Sequence, residues 1–187
     1  MESLLNAYYR NLPESWEVTT LGNLYHITSS KRVLQSEWKE EGVPFYRARE
    51  IVSLKKKLPL KNPIYISEGT YQEKIKSSGI PSFRDILVTG VGTLGVTYTV
   101  PKDAKIYFKD GNVVWLQYLG FTESSYIELS LDSSIIKQLI DSTSGTTVGT
   151  LTIEKTKKLP LAVPPLAEQK RISLFIENIF NVLKMVC

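Results

Sequence analysis

The sequence predicts an α+β fold: a mixed, mainly antiparallel sheet, partly barrel-like, with peripheral helices and a projecting C-terminal helix. Strand-like and helix-like stretches interleave without the strict alternation of a doubly wound parallel sheet. Two glycine turns, residues 90–95 and Asp110-Gly111, join apolar runs and read as hairpins. Pro164-Pro165 then ends a compact unit and opens a helix, since proline suits the first helical turn. The chain therefore divides into a domain over residues 1–163 and a helical appendage over 164–187.

The elements follow in order. Residues 3–10 read as a short helix that ends before Pro13, because the residue preceding proline is pushed out of the helical region. Residues 16–20 read as a strand, 21–25 as a helical turn and 44–48 as a strand leaving a loop. A strand at 63–67 runs into Ser67, which can cap a helix over about 68–76. Residues 85–89 and 95–100 are strands around the 90–95 turn, and 106–108 and 112–118 are strands around Asp110-Gly111. The run Val113-Val114-Trp115-Leu116 is apolar throughout and predicts burial on both faces. Helices are expected at 123–131, 133–140 and 153–158, a polar loop at 142–149 and a strand at 159–163. In the final helix Ile172, Ile176, Ile179, Leu183 and Val186 fall at steps of 4, 3, 4 and 3. That is a heptad seam suited to another helix rather than a broad core-facing stripe, with a helix packed back on its own domain as the alternative.

Composition excludes several function classes. The 187 residues carry 42% hydrophobic and 22% charged residues, as a globular domain does. One cysteine, Cys187, permits no intrachain disulfide or cysteine metal cluster and fits a reducing cytoplasm. With His26 the only histidine, no metal site and no Ser/His/Asp or Cys/His catalytic set is expected. No apolar run is long enough to span a membrane, and the N-terminus lacks the pattern of a signal peptide. The net charge is a mild +4, but residues 31–61 hold nine basic and four acidic residues. That clustering reads either as a phosphate-contacting surface or as a solvated basic loop.

Two motifs invite an enzymatic reading. Gly90-Val-Gly-Thr-Leu-Gly95 matches the G-x-G-x-x-G pattern, but the residues after it, Val-Thr-Tyr-Thr-Val, are β-formers rather than the helix that a nucleotide phosphate needs. Asn62-Pro-Ile-Tyr65 approaches the Asn-Pro-Pro-Tyr motif of adenine methyltransferases, with Ile64 at its third position. A small methyltransferase or nucleotide-binding enzyme is thus one alternative. A non-catalytic adaptor that uses the C-terminal seam is another.

Several stretches, in order, resemble the specificity subunits of type I restriction-modification enzymes. "NLPESWEVTTLGNL" (11–24) looks like the opening of a target-recognition domain, and "EGVPFYRAREI" (41–51) like its Gly-x-Pro-aromatic-x-Arg segment. "YISEGTYQEKIKSSGIPSFRDILVTGVGTLG" (65–95) and "SGTTVGTLTIEKTKKL" (144–159) are similar to its glycine-turn and Gly-Thr segments. "LPLAVPPLAEQKRI" (159–172) resembles the junction with the conserved spacer helix. The resemblance implies a non-catalytic DNA-recognition domain with no cofactor of its own. It also implies partners: a modification subunit using S-adenosylmethionine, an ATP- and Mg-dependent restriction subunit, and a self-dimer or second recognition domain joined through the helix. Such subunits carry two recognition domains and read a bipartite site; this chain contains one.

Recognition of duplex DNA needs long polar side chains at base edges and others on phosphates. Arg47 and Arg49 are expected to alternate from a strand end and share a face, with Tyr46 turned toward the loop. Lys31, Arg32, Lys55, Lys56 and Lys57 lie in weakly periodic stretches and suit phosphate. Thr89, Gly90, Gly92 and Thr93 can offer hydroxyls and backbone N–H groups, and the resemblance makes DNA the partner of that glycine turn. Arg84, next to a buried strand, reads as a DNA contact or as half of an ion pair, and the same choice stands for each arginine.

Overall fold

The computed structural model describes residue 9, residues 11–142 and residues 149–186. The expected N-terminal helix at 3–10 apart from Tyr9, most of the polar loop at 142–149 and the side chain of Val186 lie outside the described residues. Among the described residues the strands form three open sheets rather than a closed barrel.

The smallest sheet pairs β1 (Glu17–Thr20) antiparallel with β10 (Pro160–Val163), Glu17 opposite Val163. It brings the two ends of the described domain together. The central sheet has the order β2 (Tyr25–Thr28), β9 (Val113–Tyr118), β6 (Ile86–Thr89), β7 (Thr97–Thr99), antiparallel throughout. The third sheet has the order β3 (Trp38–Lys39), β5 (Ile64–Ile66), β4 (Val43–Tyr46), β8 (Tyr107–Phe108), and its β4–β8 pair is parallel. The mixed, mainly antiparallel α+β character is the one the sequence predicts.

One hairpin is not formed. Asp110-Gly111 makes a turn, with Gly111 at φ +69° as such turns demand, but β8 and β9 belong to different sheets. β8 pairs instead with β4, Tyr46 opposite Phe108. The turn is thus a crossing between layers. The apolar run of β9 explains why: Val114 and Leu116 face one core and Val113 and Trp115 the other, so this central strand serves both sides. Trp115 meets Phe108 edge-on at 5.6 Å, and Phe108, Tyr107 and Phe45 continue the aromatic contacts into the third sheet.

The helices cover these sheets. α1 (Leu21–Leu24) buries Leu21. α2 (Ala48–Lys55) is a helix where the sequence suggests a strand end and loop; it buries Ile51 against Leu87, Val100 and Trp115. α3 (Glu68–Ser78) starts at Ser67, whose Oγ accepts the Thr70 N–H at 3.1 Å, and stops at Gly79 with φ +84°. α4 (Ser124–Asp132) and α5 (Ser134–Ser142) lay Ile127, Leu131, Ile136 and Leu139 on the larger core. α6 (Ile153–Lys157) is capped by Thr152.

α7 (Leu166–Val186) has two parts. Its root belongs to the domain: Gln169 is 1% exposed, accepts the Glu123 N–H at 2.8 Å and donates to the Pro164 carbonyl at 2.9 Å, while Ile172 packs against the larger core. Further along, Leu174, Phe175, Ile179, Val182 and Leu183 are exposed. The seam expected at 172, 176, 179 and 183 is therefore split, Ile172 and Ile176 half-buried and Ile179 and Leu183 open to solvent.

Candidate nucleic-acid interface

Strand register gathers several loops at one end of the molecule. β2 ends at Thr28, opposite Trp115, and the next residues are tied down in turn. Ser29 Oγ donates to the Val113 carbonyl at 3.0 Å and Ser30 Oγ to the Phe108 carbonyl at 2.6 Å, while the Lys31 N–H donates to Tyr107 Oη at 2.9 Å. β6 ends at Thr89, opposite Val113, and β4 ends at Tyr46, opposite Phe108. The Lys109 N–H donates to the Tyr46 carbonyl at 2.8 Å. Lys31-Arg32, the 90–95 turn, the 109–112 turn and Arg47 thus share an end. Lys31 and Arg32 are exposed and Lys109 is half-buried; none of the three is in an ion pair among the described residues. Lys109 carries no signal in the sequence, because an isolated lysine beside Asp110-Gly111 becomes part of this edge only through the β4–β8 pairing.

The glycine turn is tied down at its base. Thr89 is fully buried; its hydroxyl donates to the Thr93 carbonyl and accepts the Val96 N–H at 2.9 Å. Gly95 N–H closes the turn on the Thr89 carbonyl at 2.9 Å. Gly90 is also turned inward. It donates to the Asn112 carbonyl at 2.8 Å and accepts the Leu151 N–H at 3.0 Å, and a Cβ there would lie 2.8 Å from the Leu151 oxygen. The close approach that this glycine allows is to the protein's own backbone. Gly92, at φ +69°, and Thr93 form the exposed tip. A strand follows the turn, so no helix N-terminus faces it, which removes the geometry of a dinucleotide site.

Arg47 and Arg49 do not alternate from a strand. β4 stops at Tyr46, Arg47 caps α2 and Arg49 lies in its first turn. Both converge on Glu50, whose side chain is 3% exposed. Arg47 binds it side-on, Nε to Oε2 at 2.9 Å and Nη2 to Oε1 at 2.7 Å, and adds its backbone N–H at 2.9 Å. Arg49 Nε reaches Oε1 at 2.5 Å. Burial pushes the Glu50 carboxyl up, but the hydrogen bonds from the two guanidinium groups and the Arg47 N–H outweigh it, and the carboxyl titrates below its ordinary 4.5. Arg47 also lies 5.3 Å over the Trp38 ring.

The remaining candidates are scattered. Tyr46 packs edge-on against Tyr98 at 5.9 Å, and burial raises its phenol. Lys55 is part of α2, not a loop, and binds Thr97 Oγ1 at 2.9 Å, Asp132 at 3.0 Å and Glu128 at 3.6 Å. Lys56 and Lys57 are exposed beyond it. Arg84 resolves as the ion-pair alternative: Nη2 meets Glu123 at 3.1 Å and Nη1 donates to Tyr118 Oη at 2.9 Å. Among the described residues no cluster of His, Cys, Asp and Glu could hold a metal, and no helix is long and apolar enough to cross a membrane.

Residues 13–185 match the model of the type I restriction modification DNA specificity domain. The chain belongs to that family. A type I restriction enzyme specificity subunit of Haemophilus influenzae is 30% identical over an alignment of 179 positions that covers 91% of this chain and 43% of the relative. The specificity domain thus spans less than half the length of that subunit. The HsdS subunit of Thermoanaerobacter tengcongensis superposes with a TM-score of 0.68 at 16% identity, over 98% of this chain and 43% of its own. A structure that addresses complex assembly and conformational transition of the type I R-M system gives 0.70 at 18% identity, over 99% and 44%. The S subunit of M. genitalium gives 0.59 at 16%, over 92% and 41%. These likenesses carry the fold, and the family match makes the chain a DNA-recognition domain of the type I specificity subunit kind.

Proposed function

We propose that this specificity domain reads one half of a bipartite double-stranded DNA site and directs modification and restriction subunits to it, without catalytic groups of its own. The observation that carries the reading is the loop edge. Lys31, Arg32 and Lys109, without ion-pair partners among the described residues, share this end with the exposed tip formed by Gly92 and Thr93. Unpaired cations beside an exposed turn suit phosphates, and such contacts set register on a duplex. S-adenosylmethionine, ATP and Mg are assigned to the partner subunits. The exposed Phe175, Ile179 and Val182 support a second copy or a second recognition domain on α7.

Selection from random duplex DNA at low salt, followed by sequencing, tests the reading. Enrichment of a short motif is the expected result. No retention of duplex, together with tight self-association, would favour the adaptor reading, and saturable binding of S-adenosylmethionine would revive the methyltransferase one.

A further inference from the structure

Arg49 is anchored along one edge and open at the other. Its Nε is held by Glu50 at 2.5 Å and its Nη2 by the Asn62 carbonyl at 3.2 Å, with the Lys61 carbonyl farther off at 3.5 Å. Nε and Nη2 lie on one side of the planar guanidinium. Nη1 makes no hydrogen bond among the described residues, and Nη2 keeps only the two carbonyl contacts, the longer at 3.5 Å, so the Nη1 end of the guanidinium is open to a ligand. The side chain is 56% exposed, against 17% for Arg47, which spends both Nε and Nη2 on Glu50.

The surroundings indicate what this open end meets. Arg49 shares a shallow cleft with Trp38, Lys39, Glu40 and Asn62. Ile64 pairs with Phe45 in the sheet, which sets Asn62 beside Arg47 and so at the end of the molecule that carries Lys109. Lys39 and Glu40 on the cleft offset each other, and Arg47 balances the charge of Glu50, so Arg49 keeps its own. A guanidinium held in one plane beside an amide and an aromatic ring presents the directed donors that a base edge needs, whereas a phosphate needs only charge. Guanine is the base that presents two acceptors, O6 and N7, to one arginine fork in the major groove.

We propose that Arg49 reads a guanine of the half-site and that Glu50 is its positioning residue. This rests on the DNA-recognition reading above. Glu50 fixes the guanidinium before DNA arrives, so less side-chain entropy is lost on binding.

The test is the same random-duplex selection on the full chain and on R49Q, R49K and E50Q, with thermal melts of each. The wild type is expected to enrich a motif containing guanine. R49Q lowers the preference at one guanine position by about tenfold or more and leaves the other positions in place, with only a small fall in melting temperature because Arg47 still holds Glu50. R49K keeps the charge, and hence retention at low salt, but loses the preference, because an ammonium has no planar fork. E50Q weakens the same position while Arg49 is still present; a merely structural Glu50 would weaken every position together. Should E50Q not fold, the two Arg49 variants decide. An unchanged motif in R49Q and R49K overturns the assignment and leaves the recognition reading intact. Uniform weakening with a shallower salt dependence makes Arg49 a phosphate contact and also overturns it. A wild-type chain that enriches nothing removes both readings.

Discussion

Trp115 donates its indole N–H to the Asp85 carboxylate at 2.8 Å, joining β9 to the residue that precedes β6. The same carboxylate accepts the Tyr118 N–H and the Ser82 N–H, each at 2.8 Å. Burial raises the Asp85 carboxyl above its ordinary value, against the pull of these three donors. Next to it, Arg84 clamps Glu123, and the Glu123 N–H is held by Gln169 at the root of α7. This end of the central sheet is therefore cross-braced and carries the helix, while the opposite end carries the free loops. Asp85→Ala strands three donors, two of them backbone, and is expected to cost about 2–4 kcal/mol. Urea unfolding followed by tryptophan fluorescence measures it, and a loss under about 1 kcal/mol would remove Asp85 as the brace.

The base and the tip of the glycine turn respond differently to a methyl group. Gly90→Ala drives a Cβ to 2.8 Å from the Leu151 carbonyl, so strand and chain must part. Gly92 has open space around it, and alanine there meets only the backbone cost of φ +69°. Gly92→Ala is expected to cost about 1–2 kcal/mol and Gly90→Ala about 2–3 kcal/mol. Melting temperatures of the two variants give the order, and equal losses would contradict the packing argument.

Glu50 predicts a pH window. Its folded carboxyl titrates below the unfolded 4.5, so its stabilising contribution is complete above 4.5 and is lost as pH falls through the folded value. Glu50→Gln is expected to cost about 2 kcal/mol at neutral pH, less than for a fully buried pair, because Arg49 is half exposed. The melting-temperature gap between wild type and variant should hold constant above pH 4.5 and narrow below it. A gap that widens on acidification contradicts the sign.

The parts of this fold that were legible in the sequence are those fixed locally. Ser67 as a cap, the 90–95 turn and the double-faced burial of β9 each follow from residue chemistry within a few positions. α2 was hidden because Glu50 sits among its inward residues, next to Ile51. A buried carboxylate reads as a solvated charge until Arg47 and Arg49 are seen to close on it. The β8–β9 hairpin misled for the opposite reason: Asp110-Gly111 fixes a turn but not the partners of the strands, and β8 is taken by β4, which is distant in the chain. The loop edge proposed for DNA depends on that distant pairing, so Lys109 has no local signature.

Lys31, Arg32 and Lys109 predict a salt effect. In the K31Q/R32Q/K109Q chain, the slope of log K against log salt for duplex binding should fall by about 0.9 for each phosphate that is no longer neutralised. Folding should be little affected, since none of the three is in an ion pair among the described residues. Fluorescence anisotropy on one duplex over a series of salt concentrations reads the slope. An unchanged slope would move the phosphate surface to Lys56 and Lys57, which are also exposed.

The last prediction separates the two parts of α7. Phe175, Ile179 and Val182 stand at steps of 4 and 3, and Phe175 is 63% exposed. Leu174 and Leu183 widen this apolar face, which is larger than a lone surface helix needs. The chain is therefore expected to associate through it at rising concentration. I179E/V182E should shift sedimentation to the monomer with little change in melting temperature, because both side chains are in solvent. Ile172 packs against the larger core, so I172E should instead lower the melting temperature steeply. If I179E/V182E destabilises the chain as much as I172E, the outer half of α7 packs on its own domain. If the wild type stays monomeric at every concentration while the variants separate as described, the face is kept for a different chain, such as a second recognition domain.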